Sequence, residues 1–176
     1  MRKLNILKTC LDIFWIFGMI AFVLILFMLS LYLFGNSNDV PFRIKDTIIM
    51  SSDIYSKIVI LINFICGALF IYSIYLLRKV ITLFQKVEIF NPEITYLLNK
   101  IGKLIVFYSL LSNITLFAYK MYLKSNRHYK SDYSISVDFG GFDSFWISIS
   151  LGMFFMVISE VFKIAKNMKE ENELTI

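Results

Sequence analysis

The sequence predicts an all-α membrane protein of four transmembrane helices with both termini in the cytoplasm. Three observations lead there. The 176 residues are 58% hydrophobic and only 18% charged, where a soluble domain is roughly half apolar and a quarter charged, and the mean hydropathy is +0.70. The apolar residues collect in four long runs, the pattern of spanning helices rather than of one rich core. The basic residues favour one set of run ends, with Arg2, Lys3 and Lys8 before the first run, Arg78, Lys79, Lys86, Lys100 and Lys103 in the middle, and Lys163, Lys166 and Lys169 after the last. By the positive-inside rule these segments face the cytoplasm. Residues 1–176 then form a single integral membrane domain.

Residues 11–34 make the first run, with one charge, Asp12, at its edge. At a rise of ~1.5 Å per residue, roughly 20 residues cross the ~30 Å hydrocarbon layer. The run is too long for a signal peptide, and no small-residue cleavage site follows it. It reads as a first span entering from the cytoplasm. Residues 35–57 lie outside, opening on the turn-forming Gly-Asn-Ser-Asn-Asp. Residues 40–50 read as extended, because Pro41 forbids a helix interior there.

Residues 58–77 form a second span without charge. Asn63 and Gly67 stand four apart on one face, where a small residue lets a neighbouring helix approach and an amide bonds across the contact. A polar lining for a substrate path is the alternative role for that face.

The polar island 78–103 follows. Asn91-Pro92-Glu93 is a helix start: Asn as N-cap, Pro at the first helical position, and an acid favoured by the helix dipole. Ile94, Leu97, Leu98 and Ile101 then repeat at helical spacing, an amphipathic face with three open destinations: the membrane interface, the cytoplasmic ends of the bundle, or a partner protein.

The third span covers 104–123, with Ser109 and Asn113 four apart on a packing face and Lys120 placed to snorkel. In the second outside loop, 124–141, Tyr133, Ile135, Val137 and Phe139 alternate with polar residues as in a half-buried strand. Pairing it with residues 42–49 would make a small β cap from the two outside loops. The fourth span, 142–162, carries Ser144, Ser148 and Gly152 as a small-residue stripe for close helix packing. Asp143 and Glu160 fall at interfacial depth, and Lys163 stands within reach of Glu160 at i+3. The tail 163–176 places Glu170, Glu171 and Glu173 before Leu174.

The sequence offers no catalytic set. No phosphate-cradling Gly-rich loop, zinc-protease helix, nucleophile elbow or Cys-x-x-Cys pair occurs, so no enzyme, cofactor or metal site is expected. Cys10 and Cys66 both fall away from the oxidising side, and the single histidine, His128, is in an outside loop. The net charge of +5 sits at span ends. It speaks for topology and anionic lipid, with no direct nucleic-acid binding. A proton-driven transporter would need an ionisable residue at mid-membrane, which the runs lack.

Two stretches carry a resemblance. The island segment IFNPEITYLLNKIG, 89–102, and the tail VFKIAKNMKEENELTI, 161–176, resemble the hallmarks of the YoaS-like family of small bacterial four-span membrane proteins of unknown function. Those are an Asn-Pro before an amphipathic stretch ending in Ile-Gly, and a closing pattern of Phe, a basic and a small residue, acids and Leu-Thr-Ile. The order of spans fits as well, so the resemblance covers nearly the whole chain, departing at Ala165, where many members carry Gly. Genes of that family often neighbour one for a small helix-turn-helix transcription regulator. The resemblance therefore implies a protein of the bacterial cytoplasmic membrane that holds or releases a DNA-binding partner. Its docking surface would comprise Asn91, Pro92, Glu93, Leu97 and Ile101 in the island and Glu170, Glu171, Glu173 and Leu174 in the tail. The plainer alternative is that these residues only cap and solvate helix ends. A reading from another class is a small transport or permeation protein, acting as a homo-oligomer, with Asn63, Asn113 and the Ser144, Ser148 and Gly152 face along its path.

Overall fold

The computed structural model describes residues 2–34, 42–44, 47–49, 54–86, 91–125 and 145–174. Four long helices account for nearly all of them: α1 (Arg2–Phe34), α2 (Ile54–Gln85), α3 (Pro92–Ser125) and α4 (Phe145–Leu174). All four are long and apolar enough to cross a membrane. Each exceeds its apolar run, because no Pro interrupts the pattern where the helix passes into its polar flank, and the one Gly at such a passage, Gly102, is carried inside α3. α2 carries on through Arg78 and Lys79 to Gln85, α3 joins the amphipathic island stretch to the third span in one helix, and α4 extends through the tail.

Consecutive helices are antiparallel and pack on one another in chain order, α3 and α4 most extensively, so they stand as a row with α1 and α4 at its edges. Asn5 meets Gln85, Lys79 meets Glu93 and Phe84 meets Phe162. The start of α1 and the end of α4 therefore share one end of the bundle, here the terminal end. Away from the terminal end the outward faces are largely apolar: Phe14 and Phe17 of α1 are 66% and 67% exposed and Val157 of α4 is 62% exposed. Continuous apolar surface on this scale is foreign to a water-soluble monomer and is what lipid covers.

The best-buried core lies at the terminal end, not midway along the spans. Leu76, Val80 and Leu83 of α2 interlock with Ile94, Leu97, Leu98, Ile101 and Ile105 of α3, and Phe155, Ile158 and Phe162 of α4 close over them. Of its three possible destinations, the amphipathic face of the island takes the end of the bundle. Where island residues would otherwise meet water, apolar burial is worth roughly 1.5–3 kcal/mol per large side chain, whereas between lipid-embedded helices that force is absent.

At the opposite end Val59, Ile60, Leu116, Tyr119 and Leu123 pack around Ile49. Ile49 ends a two-stranded antiparallel hairpin, β1 (Phe42–Ile44) with β2 (Thr47–Ile49), in which Phe42 faces Ile49 and Ile44 faces Thr47. The pairing observed is thus local to the first loop. The strand expected over 133–139, and with it a cap shared by both outside loops, lies outside the described residues.

Candidate functional site

The polar residues of the terminal end converge around the α2–α3 corner. Asn91 caps α3 through its side-chain Oδ1, which accepts from the Glu93 N–H at 2.9 Å, and its carbonyl accepts from the Ile94 N–H at 3.0 Å. Pro92 begins the helix, where no N–H is needed. The cap aims the Glu93 carboxylate at α2, and Lys79 Nζ lies 2.5 Å from it. The hydrogen bond that Lys79 donates to Glu93, seconded by the carboxylate's charge, raises the Lys79 pKa above the usual lysine value. These island residues act together as a clasp between α2 and α3.

Leu97 and Ile101, expected on a face open to a partner, are instead 4% and 1% exposed within the terminal core. α2 continues to Gln85 beside α3, so the apolar face of the island meets the matching face of α2 and is occupied. Neither side chain is accessible to another protein.

A second cluster joins α1 to α2. Arg78 Nε donates to Asp12 Oδ1 at 2.5 Å, its guanidinium carbon stands 4.6 Å from the centre of the Trp15 ring, and Gln85 donates to Asn5 at 2.9 Å. The side chains of Arg78 and Asp12 are 26% and 33% exposed. Sequence reasoning placed Asp12 at a span edge and missed its partner. The available signal was a lone acid in the first run matched by an arginine at the far end of the second.

A third group lies along α3. Lys100 Nζ donates to the Tyr72 hydroxyl at 3.0 Å and sits 5.3 Å and 6.0 Å from the centres of the Tyr72 and Tyr96 rings. The hydrogen bond to the Tyr72 hydroxyl is the main cause that raises the Lys100 pKa. Tyr96, Asn99, Lys100, Lys103, Leu104 and Phe107 line an open groove of 560 Å³.

The tail completes the end. From Lys163 onward α4 is largely exposed, with Ile164 53% and Met168 59% exposed. Lys163 pairs with Glu160 at 3.5 Å, and Lys166 with Glu170 at 3.4 Å. Glu170 and Glu171 are exposed, and Glu173 and Leu174 close the helix.

The residues expected to pack helices have mixed placements. Asn63 accepts from the Ser112 hydroxyl at 2.8 Å across the α2–α3 contact and donates to the Val59 carbonyl at 2.9 Å. Asn113 donates to the Ser109 carbonyl at 2.7 Å within its own helix, and Ser109 itself is buried. Gly152 sits against Gly102, a close approach of α3 and α4. A methyl group on Gly102 would lie 2.5 Å from the Gly152 carbonyl oxygen, and one on Gly152 2.8 Å from the Gly102 carbonyl oxygen. Ser148 is half-buried on α4, and Ser144 lies outside the described residues. Gly67 departs from expectation: it is exposed, and a Cβ there would meet nothing within 4 Å. α3 crosses α2 on the side of Asn63 that faces Ser112, so Gly67 lets no helix approach. Missed altogether were Ser159, whose buried hydroxyl donates to the Thr95 carbonyl at 2.7 Å, and the buried pair of Ser56 and Tyr119 hydroxyls at 3.0 Å.

A row of four helices long and apolar enough to cross a membrane, with ion pairs gathered at one end, defines a multi-pass membrane protein. The family model described as protein of unknown function (DUF2975) matches residues 16–176, and the chain belongs to that family. Comparison with curated proteins and with solved structures finds no match.

Proposed function

We propose that this chain is a regulatory protein of the bacterial cytoplasmic membrane, of the YoaS-like type, whose terminal end faces the cytoplasm and docks a small helix-turn-helix transcription regulator. The observation that carries the reading is the exposed helical tail beyond Phe162, the last α4 residue packed on the terminal core. At ~1.5 Å per residue, its polar turns reach well clear of that core. They present acids at Glu170 and Glu171 beside exposed apolar Ile164 and Met168.

In this reading Glu170, Glu171 and Glu173 meet the basic DNA-contacting surface of the regulator and occlude it, giving orientation and rate of encounter. Ile164 and Met168 supply the apolar anchors of a helix laid into a groove. They take the part that the buried Leu97 and Ile101 cannot. Asn91, Pro92 and Glu93 contribute as a rigid platform rather than as a contact surface, and the chain carries no chemistry of its own.

Pull-down from native membranes in mild detergent, with partners identified by mass spectrometry, tests this. A small DNA-binding protein should co-purify with the full chain and be lost on deletion of residues 167–176. Capture that survives the deletion would remove the tail from the mechanism. An eluate holding only copies of the chain would favour an oligomeric transport role, which a liposome flux assay then decides.

A further inference from the structure

We propose that the groove along α3 between Tyr96 and Phe107 holds the phosphate of an anionic phospholipid from the leaflet at the terminal end, bound by Lys100 and Lys103. The six lining residues, Tyr96, Asn99, Lys100, Lys103, Leu104 and Phe107, recur at spacings of three and four and so share one face of the helix. Along that face polarity changes in one direction. Tyr96, Asn99 and Lys100 stand toward the water-facing end, and Leu104 and Phe107 stand one to two turns deeper, where α3 becomes continuously apolar. Two turns span ~11 Å, enough to run from headgroup level into the acyl layer. A soluble anion would use the cationic part of such a site and have no use for the apolar part.

The charge distribution points the same way. Two ammonium groups and no carboxylate line the groove. Among the described residues, two acids of this end are engaged elsewhere, Glu93 with Lys79 and Asp12 with Arg78. Lys100 is held in place by the Tyr72 hydroxyl and the flanking rings. An ammonium has three N–H donors, so the bond to Tyr72 fixes its position while leaving capacity for a phosphate oxygen. Tyr72, Tyr75 and Tyr96 are all exposed around it, at the level where phenolic rings favour the headgroup region. Basic recesses beside spanning helices are a recurrent mode of anionic headgroup recognition.

The test is native mass spectrometry of the purified full chain with equal amounts of phosphatidylglycerol and phosphatidylcholine bearing identical acyl chains. The wild-type protein should retain phosphatidylglycerol preferentially. Lys100→Gln with Lys103→Gln should lower its occupancy by about tenfold while phosphatidylcholine occupancy stays as it was. Lys163→Gln with Lys166→Gln, cations of the same end outside the groove, should leave the preference intact. If the double variant loses helical content by circular dichroism, Lys103→Glu is read instead, since Lys103 is exposed. Phosphatidylglycerol binding equal in wild type and groove variants would overturn the proposal. So would displacement of the lipid by millimolar inorganic phosphate, which would assign the groove to a soluble anion; retention of the lipid under phosphate supports it.

Discussion

Asp12 sits at the border of an apolar run, where an unpaired carboxylate is costly. Arg78 compensates it at 2.5 Å, with Trp15 stacked against the guanidinium. Arginine suits that place better than lysine, because its planar group bonds a carboxylate and stacks on a ring together. Both side chains are one-third exposed or less, so the pair is screened less than a surface pair yet is not a buried one. A double-mutant cycle with Asp12→Ala and Arg78→Ala, read by unfolding in detergent, should give a coupling of about 1 kcal/mol. The same cycle on Glu160 and Lys163, whose side chains are 63% and 60% exposed, should give no more than ~0.5 kcal/mol. Equal values for the two pairs would mean that position along the helix adds nothing to the first. Neither number is visible in the sequence, since Asp12 and Arg78 are 66 residues apart and only the antiparallel crossing of α1 and α2 joins them.

For helices, what decides packing is which glycine faces which neighbour. Gly152 belongs to a stripe legible from its spacing, and the structure places it against Gly102, which the sequence shows only as one residue of the island. Gly67 fits the same spacing rule equally well but faces no helix. The rule identifies a face and says nothing of what stands opposite. Gly102→Ala should therefore force α3 from α4 and lower stability by about 1–3 kcal/mol. Gly67→Ala should be neutral or stabilising by up to ~1 kcal/mol, because alanine restricts the unfolded chain and favours helix. Thermal unfolding of both variants in one detergent checks the contrast, and a Gly102→Ala protein as stable as the parent would show that the two helices can separate at little cost.

The whole molecule is a row of helices whose strongest apolar core lies at one end, with lipid-facing surface along both sides. Three antiparallel crossings bring the start of α1 and the end of α4 to that end. Reporter fusions at Met1 and Ile176 should accordingly read the same side of the membrane, and fusions in the loop between α1 and α2 the other. A split result for the two termini would require one helix to leave the membrane. Which side the termini take follows, in our proposal, from the basic residues around Arg78 and Lys100.

Four spanning runs, the Asn91-Pro92-Glu93 helix start and the acidic tail could all be read from the chain alone, because each depends on neighbours within one or two turns. Hydropathy, capping and helical period are local properties. Partner choice is not local. That Leu97 and Ile101 close a core instead of lying open, that Asp12 meets Arg78, that Gly102 rather than Gly67 admits a neighbouring helix, and that Lys100 lines a groove beneath Tyr72 each depend on the rotation of one helix about its axis relative to the next. That rotation is set by many small contacts summed over two helices at once, and only the folded arrangement contains it.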